Sequence, residues 1–236
     1  MADGSYRWFG NAPTPDPARV AHIHAAYDVQ TADTFGEAAH AAVVDGLSRA
    51  LDAARAGHFC GVASALTDAR ARVEALRPPA LEPRRGLAGL FDSRGKRLKR
   101  FREAFKDAAA HLGEAAATLD EVIDGATRRS GALEAIWGEI RDGIADLDAH
   151  IAAAGRLTGH VPGGDGALHP LQARKPTLDA CRAAALQSLP LIRGGQNADA
   201  RTSEALGLCT VELARWRDDW REALGLSRKT AKARPP

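Results

Sequence analysis

The chain has 236 residues, 45% of them hydrophobic and 26% charged, with aromatics at 5% and a formal net charge of +2. Scarce aromatics disfavour an all-β fold, and abundant alanine, leucine, arginine and glutamate favour helices. The near balance of charge argues against nucleic-acid binding by the whole chain, and no apolar run approaches the roughly 20 residues of a membrane-spanning helix.

Residues 1–33 are expected to form a flexible leader, because Pro13, Pro15 and Pro17 interrupt a helix before it starts. No basic region followed by an apolar stretch marks a secretory signal there. Residues 34–57 read as a helix, with Thr34 as N-cap and Glu37 as its capping-box partner. Val43, Leu47, Ala50 and Leu51 form its apolar set, and Gly57 suits its end. A second helix is predicted over 61–76 from Leu66, Val73 and Leu76, stopped by Pro78 and Pro79. Residues 77–95 form a connector made apolar by Leu87, Leu90 and Phe91.

The strongest signal lies in residues 96–155. Every seventh residue from Leu98 is apolar: Leu98, Phe105, Leu112, Leu119, Ala126, Leu133, Ile140 and Leu147. The companion line runs Phe101, Ala108, Ala115, Val122, Arg129, Ile136, Gly143 and His150. This heptad pattern is that of helices packing at a shallow angle. One unbroken helix, about 90 Å long, is expected, because the heptad phase persists across the weak point. The alternative is a hairpin broken near Ser130-Gly131, where Arg129 interrupts the companion line. A glycine-rich linker covers 156–175. Kinked C-terminal helices are expected over 176–225, starting at Pro176 and kinked or broken at Pro190 and Gly194-Gly195. Leu206, Leu213 and Trp220, with Trp216 and Leu224 alongside, give the last helix its apolar face. Residues 226–236 read as a basic flexible tail. The expected fold class is therefore all-α: an elongated helical bundle around a long heptad-patterned helix, with disordered termini.

Chemistry-bearing patterns are sparse. No phosphate-binding glycine loop and no nucleophile elbow occurs. Cys60, Cys181 and Cys209 are odd in number and far apart, which suits neither a disulfide framework nor a zinc site. They read as small packing groups in a reduced, cytoplasmic protein. His22 and His24 lack further ligands, His58 beside Cys60 suits capping or packing, and His111 and His150 fall beside or on the apolar stripe. No catalytic, metal or cofactor site is expected.

One basic cluster stands out: Arg94, Lys96, Arg97, Lys99, Arg100 and Arg102 crowd the start of the long helix. Cations are locally unfavourable at a helix N-terminus, so an anionic partner would relieve them. Acidic lipid headgroups, a phosphorylated ligand or an acidic protein face would fit.

Several segments, in order, resemble the TelA-like toxic-anion-resistance family of bacterial helical proteins. They are Leu66–Pro78, then Gly89-Leu90-Phe91 and the basic Lys96–Phe101 ahead of the long helix. Next comes Gln187-Ser188-Leu189-Pro190-Leu191-Ile192-Arg193, similar to the family's Gln-Ser-x-Pro-x-Ile-Arg pattern and followed by Gln196-Asn197. Last come Trp216-Arg217, Trp220 and Ala223-Leu224. The likeness covers roughly residues 60–225. It departs from the family in its short chain, its linker glycines and Gly194-Gly195. The resemblance implies a cytoplasmic all-helical protein tied to resistance to tellurite, related toxic anions or envelope stress.

The expected function is thus a non-enzymatic helical scaffold or interaction protein. Its partner is an unidentified protein of a stress or anion-resistance system, with self-association as a further option and no nucleic acid. Gln187, Ser188, Pro190, Ile192, Arg193, Trp216 and Trp220 are the candidate interaction surface. The alternative is a peripheral protein whose basic cluster meets acidic lipid at the inner membrane face.

Overall fold

The computed structural model describes residues 15–56, 60–76, 94–159 and 169–224. Among them every regular element is helical: α1 (Pro17–Ala25), a 3₁₀ segment (Val29–Thr34), α2 (Glu37–Arg55), α3 (Cys60–Ala75), α4 (Arg94–Gly159) and α5 (Pro170–Ala223). The all-α expectation holds. No described helix is long and apolar enough to cross a membrane.

The chain divides into two compact units. One combines residues 1–56 and 128–198, the other residues 57–127 and 199–236. Helices α4 and α5 contribute to both.

In the first unit α2 and α5 both run antiparallel to α4. Val43, Ile140, Ile144, Leu147, Leu178, Ala185 and Leu189 fill the core, and the bulky ones are fully buried. Two glycines let α2 and α4 approach closely. A Cβ on Gly143 would sit 2.6 Å from Val43 Cγ2, and one on Gly46 would sit 2.8 Å from Ile140 Cγ1. Helix α1 and the 3₁₀ segment cover the unit, Val20 against Ala149 and Ala153, Ala32 against Ala154 and Leu171.

The leader expected over 1–33 is therefore corrected for its described part. Pro17 starts α1 rather than preventing it, because the missing N–H of a first-turn proline is not needed there. Asp16 caps the helix by accepting from the Ala18 amide at 3.0 Å. The predicted cap of α2 also changes. Thr34 donates to the Thr31 carbonyl, and Gly36, with φ +70°, occupies the N-cap. A side chain there would be strained and would crowd Leu178 and His150.

In the second unit α3 and α5 run antiparallel to α4. Ala69, Leu112 and Ala115 pack with Val73, Leu213 and Trp216. Leu76, Phe101, Phe105 and Leu224 close the end of this unit with Trp216 and Trp220. The heptad line explains both cores: Phe105, Leu112, Leu119, Ala126, Leu133, Ile140 and Leu147 are all buried.

Helix α4 is a single helix through Ser130-Gly131, extending past both predicted ends. The break expected in α5 is absent. It continues through Pro176, Pro190 and Gly194-Gly195, so the two kinked helices are one. Pro190 itself is exposed, so its ring displaces no core side chain. The predicted linker 156–175 is helical at both ends, because α4 reaches Gly159 and α5 starts at Pro170. The apolar connector 77–93, His58 and the basic tail lie outside the described residues.

Candidate functional site

The Gln187–Arg193 segment forms the middle of α5, where the first unit packs against α4. Helical spacing divides it between two faces. Ile192 turns into the core. Arg193 reaches across to α4 and pairs with both carboxylate oxygens of Glu134, one of them at 2.9 Å. Its guanidinium also stacks 4.2 Å from the centre of the Trp137 ring. Gln196, one turn on, donates to the Ser130 carbonyl at 3.0 Å and accepts from Arg193. The Arg193 hydrogen bond holds the Glu134 carboxyl below its ordinary range.

Ile192 is therefore a core residue rather than part of the candidate surface, and Arg193 is half-buried and engaged on α4. Glu134, Trp137 and Gln196 complete this clamp around Arg193. The spacing of Glu134 and Trp137, one turn apart beside the heptad line, is the only sequence signal for it. Ser188 donates back to the Ala184 carbonyl at 2.8 Å. Gln187 and Pro190 are exposed, as is Leu191 between Pro190 and Ile192, at 74%.

A second ion pair lies deeper in the same unit. Arg182 on α5 pairs with Asp148 on α4, whose side chain is only 7% exposed. Burial pushes the Asp148 carboxyl up despite the guanidinium beside it, and nearby Asp179 adds to the rise. From 180 to 198, Arg182 and Arg193 are the only charged residues, and both point to α4. The outward face of α5 over this span (Ala180, Ala184, Gln187, Leu191, Gly195 and Ala198) carries no charge.

Trp216 and Trp220 belong to the second unit and are half-buried. Trp220 lies 5.6 Å from Phe101 and Trp216 lies 6.0 Å from Phe105, ring centre to ring centre. They hold α5 to α4 as an aromatic cluster, with part of each ring at the surface.

The basic cluster also divides. Arg94 is the first residue of α4. Lys96, Lys99 and Arg100 are exposed, and Arg97 is half-buried with an interaction of its own. Arg102 is turned inward and donates to the Leu224 carbonyl at 2.9 Å, satisfying an acceptor at the end of α5. One nitrogen of Arg102 is thus engaged within the chain.

The two histidines beside the apolar stripe have structural partners. His150 bonds the Asp146 carbonyl and packs on Phe35, and His111 sits beside Glu114 and Asp107. Among the described residues no group of His, Cys, Asp or Glu side chains could hold a metal ion. Burial raises the Cys181 thiol above its ordinary range, which disfavours the reactive thiolate. Comparison with family models, with curated proteins and with solved structures yields no match to this chain.

Proposed function

We propose that this protein is a non-enzymatic helical scaffold that works by binding other macromolecules, within a TelA-like response to tellurite, related toxic anions or envelope stress. The observation that supports the binding role is the outward face of α5 from Ala180 to Ala198. It is free of charge and carries Leu191 about three-quarters exposed to water. Solvated helix faces are ordinarily charged, and an exposed apolar face of this kind marks a contact surface. The toxic-anion setting rests on the sequence resemblance, which this same segment carries.

Tellurite survival of cells expressing the wild-type chain and the Leu191→Glu and Gln187→Ala variants tests this reading. Protection by the wild type that Leu191→Glu removes, at unchanged protein level, is the expected result. A wild-type chain that gives no protection refutes the anion-resistance role. Loss of protection on replacing all three cysteines would instead point to a thiol-based sink.

Exposed Lys96, Lys99 and Arg100 favour a second reading, binding to acidic membranes. Flotation with acidic vesicles that weakens in salt would support it, and no flotation at low salt would remove it.

A further inference from the structure

We propose that the face made by α2 and residues 180–198 of α5 pairs with the same face of a second copy of this chain, antiparallel and about a two-fold axis. This deepens the binding role proposed above by naming a partner.

The face is double. On α2, Glu37, Ala41, Val44, Ser48, Leu51 and Arg55 recur at alternating steps of four and three, and all are exposed. Leu51 is 51% and Val44 48% exposed, although Leu51 reads from sequence as core. This line lies on the α5 side of α2, because Glu37 pairs with Arg174 of α5. Leu191 lies on the side of α5 turned away from α4, about half a turn of the helix from both Arg182 and Arg193, which meet α4. Gly36 lies level with Leu178, which sets the two parallel helices in register.

An antiparallel two-fold at the level of Gly46 makes this face its own complement. Glu37, which also pairs with Arg174 of its own chain, then meets Arg55 of the second copy, acid against base at both ends. Ala41 meets Leu51 of the second copy, and Val44 meets Ser48, large against small. The same axis crosses α5 near Ser188. It sets Leu191 beside Ala184 of the second copy, and Ala180 beside Gly195, where added atoms would find open space. No like charges face each other across the α5 half, because Arg182 and Arg193 are turned to α4.

The area is adequate. Helix α2 is about 28 Å long and two packed helices span roughly 20 Å, about 560 Å² in plan. Side-chain relief brings this towards the roughly 800 Å² per partner of a specific interface.

Sedimentation equilibrium of the purified full chain tests the proposal. The wild type is expected to show a monomer–dimer equilibrium. Leu51→Glu and Leu191→Glu are expected to leave monomers with unchanged helix content, since both side chains are exposed. Arg55→Glu sets two acids together at each end and is expected to weaken the dimer about tenfold. A wild type monomeric at every concentration overturns the proposal. So does a dimer that tolerates both leucine variants or is indifferent to Arg55→Glu. A chain that dimerises through this face but does not protect cells refutes the anion-resistance reading alone, and protection by a monomer refutes the pairing alone.

Discussion

The two units solve the same packing problem with different chemistry. The first, residues 1–56 and 128–198, has an aliphatic core of Leu, Ile and Val closed by charged clamps between α4 and α5. Asp148–Arg182 is one clamp and Glu134–Arg193 the other. The second unit has an alanine-lined interior with Phe101, Phe105, Trp216 and Trp220 at one end, and there Arg102 of α4 holds the carbonyl of Leu224 at the end of α5. Ion pairs fix register because only one alignment satisfies both partners, whereas aromatic faces supply area and tolerate small shifts. The first unit should therefore be stricter about geometry and more sensitive to pH. The second should depend more on volume.

Removing volume sharpens this contrast most. Phe105 is 1% exposed, so Phe105→Ala should cost about 3–5 kcal/mol in urea unfolding. Its damage should appear in hydrogen exchange of α3 before α2. Equal loss in α2 would break the distinction.

Arg182→Met should cost about 3–5 kcal/mol by leaving a buried carboxylate unpaired. Adding Asp148→Leu should recover most of that loss, because a well-packed apolar pair of similar volume replaces the ions. A double variant as unstable as the single one would mean that the pair supplies stability, not register.

Gly143→Ala comes next. Its Cβ would lie 2.6 Å from Val43 Cγ2, so the overpacking cost of about 1–3 kcal/mol should outweigh the helix-propensity gain of about 1 kcal/mol. Gly113→Ala in the second unit meets nothing within 4 Å and should stabilise. Melting temperatures of the two variants should therefore move in opposite directions.

The smallest effects are those of pH, and the two acids of the first unit act oppositely. The fold lowers the Glu134 pKa, so its contribution is present above the ordinary value of 4.5 and is lost as pH falls towards the lowered one. The fold raises the Asp148 pKa, so stability declines as pH rises from the ordinary 3.8 through the raised folded value. In melting curves between about pH 3 and 7, Glu134→Gln should remove part of the acid-side loss. Asp148→Asn should gain on the wild type as pH rises. Parallel profiles for the two variants would contradict both assignments.

Much of the fold is legible in the sequence. The seven-residue line from Phe105 to Leu147 names the buried stripe of α4, because helical periodicity is a local property. Helicity through Ser130-Gly131 follows from that unbroken phase. The candidate sites were less legible. Arg102, Arg193, Trp216 and Trp220 look like surface chemistry in a linear reading, yet each is spent on a partner far along the chain.

By itself the sequence determined the helical class, the long helix and its inward stripe, since propensity and spacing act within a few turns. Tertiary structure alone decided that Pro17 starts a docked helix and that Pro190 stays inside one. It also decided that the charges of α5 between 180 and 198 turn towards α4, leaving Leu191 outside. Each of those outcomes depends on a neighbour on another helix, whose packing energy outweighs the local preferences of single residues.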